Sequence, residues 1–209
     1  MKDSTRNSVR TDILAKRRAL TYGEIYAASE QACAKLISTT LWQEAQHIAF
    51  YIAHDSEIDP KSLMEKAHAQ NKHCYLPALA TNDLKHLVMV HYKPGDDLVK
   101  NLYSIPEPVQ NPSAIIDPST LDLVLVPLVA FDKTGTRLGM GVGYYDRTFA
   151  FLNQPHRPKR PQLVGLAYHF QQQESLLLRQ HWDVGLDLIV TDREVVNTSD
   201  LSLRGSMNE

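Results

Sequence analysis

Residues 121–147 read Leu-Asp-Leu-Val-Leu-Val-Pro-Leu-Val-Ala-Phe-Asp-Lys-Thr-Gly-Thr-Arg-Leu-Gly-Met-Gly-Val-Gly-Tyr-Tyr-Asp-Arg. Leu121 to Val129 is apolar at nearly every position, which predicts a strand buried on both faces, as in a parallel sheet covered on both sides. Gly139, Gly141 and Gly143 then alternate behind Arg137. Removing every second Cβ lets backbone N–H groups approach a charged ligand, and the arginine adds a forked donor matched to phosphate. A helix is expected over Tyr144 to Leu152. Strand, glycine-rich turn and helix is the order in which a helix N-terminus meets a phosphate, so a nucleotide or a phosphorylated intermediate is the expected ligand. An alternating GxGxG also serves as a plain tight loop, and that reading stands beside the functional one. Neither GxGxxG nor GxxxxGK[ST] occurs, which argues against a dinucleotide-binding dehydrogenase and a P-loop enzyme.

Outward from this stretch, a chain of 209 residues, 43% hydrophobic and 22% charged, suits one large α/β domain better than two small ones. We place that domain at residues 1–196 and expect a disordered tail over 197–209. A net charge of -2 and a pI near 6.5 give no general attraction to nucleic acid or to an anionic membrane, so any basic site is local. Cys33 and Cys74 support neither a disulfide framework nor a zinc site, which fits a reducing cytoplasm. Met1 to Arg18 is polar and basic, and no apolar run approaches the roughly 20 residues that span a bilayer, so no signal peptide or membrane helix is expected. The nine histidines carry no HExxH and no metal-like spacing with cysteine, which disfavours a zinc hydrolase.

Val9, Ile13, Leu14 and Leu20 recur at near-helical spacing, with Arg6, Arg10, Lys16, Arg17 and Arg18 on the remaining faces of a basic amphipathic helix. Thr21 to Glu24 matches a capping box, after which Ala28, Ala32, Cys33 and Leu36 form the buried stripe of a second helix. Strands are expected at His47 to Ile52, His73 to Leu79, Leu87 to Tyr92, Gln162 to Tyr168 and Leu186 to Thr191, and a helix begins at Asp59-Pro60. Asn101 to Ser119 is proline-rich without a period. Asn153 to Pro161 reads as an exposed loop suited to a lid, whose Arg157, Lys159 and Arg160 would attract an anionic tail of a ligand. The alternation predicts a single doubly wound α/β domain, its sheet mainly parallel with helices on both faces. Ligands then belong beyond the carboxyl ends of the strands, at a switch point.

Pro127 to Arg147 resembles the signature of the 5-formyltetrahydrofolate cyclo-ligases, also called methenyltetrahydrofolate synthetases. Arg6-Asn7-Ser8-Val9-Arg10, Tyr51-Ile52 with Glu57-Ile58-Asp59, and His181 to Asp187 are similar to further blocks of that family in the same order. The resemblance spans about residues 6–195. Arg6 stands where the family commonly has lysine, Val142 where it often has glycine, and Gly185 where it often has proline.

The resemblance implies an ATP-dependent, Mg2+-requiring cyclisation of 5-formyltetrahydrofolate to 5,10-methenyltetrahydrofolate, catalysed by positioning and charge neutralisation. It implies ATP contacts at Arg6 to Arg10 and at Arg137, Leu138, Gly139, Met140, Gly141, Val142, Gly143, Tyr144 and Tyr145. Arg137 and Tyr145 are the expected catalytic residues. Ile52, Glu57, Tyr144 and Tyr145 would bind the folate, with Glu57 accepting from the pterin N–H groups. Asp146 and Asp183 would hold Mg2+. The expected partners are small molecules, without nucleic acid or membrane, around a monomer.

Two readings from other classes stay open. A non-catalytic module using the basic first helix predicts salt-sensitive binding without turnover. A sugar-phosphate or acyl-group enzyme on a similar fold needs a lone base or nucleophile, and only Glu57 is at hand.

Overall fold

A computed structural model describes residues 3–81, 83 and 85–198. Helix α1 (Asp3–Arg18) leads into α2 (Tyr22–Ile37), whose start carries the expected capping box: the Glu24 amide donates to the Thr21 hydroxyl and the Thr21 amide to the Glu24 carboxylate. Ala32, Cys33 and Leu36 face inward as the periodicity requires. A short α3 (Thr40–Glu44) precedes β1 (His47–Ala49). That strand is shorter than the expected His47 to Ile52, because the chain leaves the ladder after Phe50, whose amide still bonds Tyr75. Helix α4 (Lys61–Ala69) begins one residue later than expected, with the Asp59 carboxylate accepting from the Lys61 amide and Pro60 at the cap. Strands β2 (His73–Leu79) and β3 (Leu87–His91) follow.

The proline-rich region is more ordered than its lack of period implied. Strands β4 (Leu98–Lys100) and β5 (Pro106–Pro108) pair as an isolated hairpin, and β6 (Ile115–Ile116) adds to the edge of β3. Proline lacks the ladder donor, so such strands survive only at edges and present no alternation to read. Strand β7 (Leu123–Val126) is buried at every position. A tight hairpin of β8 (Ala130–Phe131) and β9 (Arg137–Leu138) leads through the glycine loop to α5 (Tyr144–Thr148). This helix is one turn only; Ala150–Asn153 continues as 3-10 helix, so the single helix expected to Leu152 is broken. Strands β10 (Gln162–Ala167), β11 (Leu188–Thr191) and β12 (Val195–Asn197) complete the chain. Asn197, the last residue of β12, and the buried Thr198 lie within the stretch read as tail; residues 199–209 fall outside the described residues.

The main sheet has eight strands in the order β12-β11-β10-β7-β1-β2-β3-β6. From β11 to β2 all neighbours are parallel, while β12, β3 and β6 are antiparallel edges. Leu123 and Leu125 join the core beneath α2 and α4, whereas Val124 and Val126 face Phe149 and Leu152 on the other side. Helices thus cover both faces, though unequally, and the crossover from β10 to β11 carries only the 3-10 turn His169–Gln171. The chain winds from β1 outward to β2 and from β7 outward to β10 and β11, which puts the switch point between β1 and β7. Among the described residues, no helix is long and apolar enough to cross a membrane.

Lys72, almost wholly buried, donates its ammonium to the carbonyls of Trp42, Gln43 and Ala45 at 3.1, 3.2 and 2.5 Å, closing the end of α3. A buried cation with three carbonyl acceptors contributes strongly because its removal strands those carbonyls. Replacing Lys72 with Met should lower unfolding stability by about 2–3 kcal/mol, read as a reduced urea midpoint at unchanged slope; an unmoved midpoint contradicts this account.

Candidate active site

The carboxyl ends of β1 and β7 open into a cavity of about 1200 Å3. Its walls come from the loop after β1, the glycine loop, one face of α1, the β4–β5 hairpin and the segment His181 to Asp183.

Asp132 organises the turn that delivers the glycine loop. Fully buried, it accepts from the Thr134 amide and hydroxyl and from the Leu177 amide. Arg137 follows on β9, buried, with Nη2 donating to Asp146 Oδ1 at 2.8 Å and Nε left without a partner. Burial pushes the guanidinium pKa down and the nearby Asp146 and Asp183 carboxylates pull it back up. Gly141 and Gly143 have φ of +99° and +78°, the left-handed region that favours glycine. Val142 between them avoids that region and exposes its side chain, which is why a β-branched residue is accommodated there.

Helix α1 docks on this loop. Arg10 Nε donates to the Gly139 carbonyl at 2.8 Å and its Nη1 to Asn7 Oδ1 at 2.7 Å. Arg6 lies 3.7 Å from Asp183 Oδ2. Asp183 is held by the Gln180 amide, and Asp146 Oδ1 also accepts from the Val184 amide, so the two acids sit side by side next to Arg137. Arg6, Arg10, Arg137, Gly139 to Asp146 and Asp183 all line the cavity. Asn7, Ser8, Val9 and Leu138 do not; Val9 and Leu138 instead belong to the apolar cluster around Ile13.

Ile52 and Glu57 line another part of the cavity. Glu57 Oε2 accepts from the His54 amide at 3.1 Å and Oε1 lies 3.8 Å from Arg17 Nη2. Desolvation raises the Glu57 carboxyl to about 7, against the opposing pull of Arg17. Tyr145, on α5, feels both Glu57 and Arg137; burial pushes its phenol far above the ordinary range. Its ring stacks on Phe149 with centroids 6.2 Å apart. The neighbouring Tyr144 hydroxyl meets that of Tyr103 at 3.0 Å, and its ring lies under Arg147.

Several wall residues escaped the sequence reading. Arg17, placed only among the remaining faces of the amphipathic helix, is 1% exposed and lines the cavity. Its signal was spacing: Arg6, Arg10, Ile13 and Arg17 fall on one stripe of α1 at i, i+4, i+7 and i+11. Asn101, Tyr103 and Glu107 come from the hairpin that showed no period. Of the loop Asn153 to Pro161 only Asn153 lines the cavity, so the lid and tail-attracting roles expected for it are corrected. Arg157 pairs with Asp187 at 2.7 Å and Arg160 pairs with Asp122, and both acids precede their strands, at the amino end of the sheet opposite the cavity.

The 5-formyltetrahydrofolate cyclo-ligase family model matches residues 2–192. The chain is 37% identical over 191 residues to the 5-formyltetrahydrofolate cyclo-ligase of Haemophilus influenzae, covering 91% of this chain and 100% of that one. With the Escherichia coli K12 enzyme of the same name the identity is 35% over 183 residues, or 88% and 98% of the two chains. The solution structure of Aquifex aeolicus 5,10-methenyltetrahydrofolate synthetase superposes with a TM-score of 0.77 at 30% identity, covering 92% of each chain. The fold, the cleft at its switch point and these relatives agree: the chain is an enzyme of the 5-formyltetrahydrofolate cyclo-ligase family.

Proposed function

We propose that this cleft converts 5-formyltetrahydrofolate to 5,10-methenyltetrahydrofolate at the expense of ATP, with Arg137 and Glu57 marking the two substrate subsites. The observation that carries the reading is one cavity walled by two charge centres of opposite demand: a cationic cluster of Arg6, Arg10 and Arg137 around the glycine loop, and the Glu57 carboxylate in the loop after β1. The glycine loop and its arginines hold the nucleotide phosphates, while Glu57 accepts from the pterin N–H groups against the apolar Ile52. The formyl oxygen attacks the γ-phosphorus and ADP departs. N10 then adds to the formyl carbon, the former formyl oxygen leaves with phosphate, and N10 gives up its proton. No protein nucleophile enters this sequence. Arg137, charged and preorganised by Asp146, neutralises the charge that develops on the transferring group, and Tyr145 closes the wall between the subsites.

The carboxylates fit a Mg2+ ion. Asp146 uses only Oδ1 and Asp183 only Oδ2 in hydrogen bonds or ion pairs, so each keeps an oxygen for a hard cation. Among the described residues no group of three or more His, Cys, Asp or Glu gathers to hold a metal alone, so phosphate and water oxygens would complete the shell. Bound there, Mg2+ would neutralise phosphate charge. The module reading lacks a basis of its own, since the arginines of α1 that it needs are engaged with the cleft.

Purified protein mixed with 5-formyltetrahydrofolate, Mg2+ and ATP should develop the near-ultraviolet absorbance of the methenyl product, and an ATP-free control should stay flat; a flat trace in both refutes the reading. Asp146→Asn should raise the Mg2+ concentration for half-maximal rate by about tenfold, since one charged ligand is worth roughly that factor; an unchanged titration removes Asp146 from the metal. Glu57→Gln should raise the folate KM by about 10- to 100-fold through loss of a charged acceptor. The same change has a stability signature. The folded Glu57 carboxyl binds its proton more tightly than in the unfolded chain, so its contribution is full in acid and is lost as pH rises towards about 7. The melting temperature of Glu57→Gln relative to the parent should therefore climb between pH 5 and pH 8; a constant difference contradicts the raised carboxyl.

A further inference from the structure

The loop after β1 is strained. Asp55 and Ser56, neither of them glycine, take φ of +49° and +57° in succession. Consecutive left-handed residues persist only where their surroundings hold them. Here the holder is Arg17. Its Nε donates to the Asp55 carbonyl at 3.1 Å and its Nη2 to the His54 carbonyl at 3.0 Å and again to Asp55, while the same Nη2 faces Glu57. Arg18 clamps the Asp55 carboxylate from outside at 2.9 Å through two nitrogens, and the Tyr168 hydroxyl donates to the Ser56 carbonyl at 3.0 Å. Arg17 Nη1 is buried and has no partner. A charged side chain placed on the inward stripe of α1 with a donor left unsatisfied is a poor choice for stability alone.

We infer that Arg17 is a positioning residue for folate: its fork fixes the left-handed Asp55–Ser56 turn so that the Glu57 carboxylate points into the cavity, ionised and correctly placed for the pterin. This rests on the proposed binding of 5-formyltetrahydrofolate at Glu57. Arg17 acts through this loop, by the hydrogen bonds of its fork to the His54 and Asp55 carbonyls. The groups facing Glu57 are Arg17 from α1, Asp55 and the His54 amide from its own loop, Tyr51 after β1, Tyr145 from α5 and Tyr168 after β10. Arg17 is the cation among them, so its loss favours the protonated carboxyl.

The test compares Arg17→Met, Arg17→Lys and the exposed neighbour Lys16→Met as control. Each is titrated with 5-formyltetrahydrofolate without ATP by calorimetry across pH 6 to 9, and KM is measured for both substrates. Arg17→Met should weaken folate binding at least tenfold and leave the ATP KM within twofold. It should also move the midpoint of the pH dependence of folate binding upward. Arg17→Lys, which keeps the charge without the fork, should lose affinity while keeping the midpoint. Adding Ser56→Gly to Arg17→Met should restore at least threefold of the affinity by relieving the left-handed turn. Parental folate affinity in Arg17→Met overturns the inference, as does equal weakening of folate and ATP with an unmoved midpoint. If Arg17→Met does not fold, Arg17→Lys decides: parental affinity overturns the inference and a folate-selective loss supports it. A parent protein that binds no 5-formyltetrahydrofolate refutes the proposed function itself, an outcome separate from any behaviour of Arg17.

Discussion

Parallel pairing of β1 with β7 is the constraint on which the rest of the molecule depends. Ile48 and Ala49 lie in register with Leu123 and Val124, and the chain departs from these two strands in opposite directions. Neither departure covers the space beyond their carboxyl ends, so a cleft opens there without any sequence dedicated to making it. Asp122 fixes the register at the other end. One of its carboxylate oxygens accepts from the Gln46 and His47 amides at 2.7 and 2.9 Å, and the other pairs with Arg160. Slippage by one residue would exchange the two faces of β7, each of which carries its own apolar cluster.

Inside the cleft, charge is arranged in pairs and then left incomplete. Arg137 has Asp146 but an idle Nε; Arg17 has two carbonyls but an idle Nη1; Glu57 has one amide and a distant guanidinium. Buried charges so incompletely matched cost stability, and the proposed triphosphate and pterin would supply partners to Arg137 and Glu57. Desolvation, only partly opposed by Arg17, is what lifts the Glu57 carboxyl to about 7.

The legible parts of the chain were those with a period or a signature. The all-apolar β7, the stripe of α2 and its capping box announced themselves, and the motif from Arg137 to Asp146 marked one wall of the cavity. Arg17 was hidden because a helical wheel of mixed charge does not distinguish an arginine facing solvent from one facing a polar cavity. The β4–β5 hairpin was hidden by Pro106 and Pro108, which pair at an edge without alternation. The loop carrying Arg157 and Arg160 looked like a lid because composition reports exposure and says nothing of which end of a sheet a loop occupies; acids at the amino ends of β7 and β11 hold it away from the cleft.

Helix α1 joins the two charge centres. From Arg6 to Arg17 it advances eleven residues, about 16 Å at a helical rise of about 1.5 Å per residue, which sets the separation of the two charge centres. Two loops with left-handed backbone lie along that line, Gly141 to Gly143 near one end and Asp55–Ser56 at the other. The chemistry of each decides which residues can occupy it. At Gly141 and Gly143 no side chain stands in the way of a ligand, and glycine takes the left-handed φ without strain. Where the turn must offer carbonyls and a carboxylate to arginines, side chains are needed, and Asp55 and Ser56 accept strain that the α1 arginines offset. A single helix grips both loops through different arginines, Arg10 on the glycine loop and Arg17 with Arg18 on the Asp55–Ser56 turn.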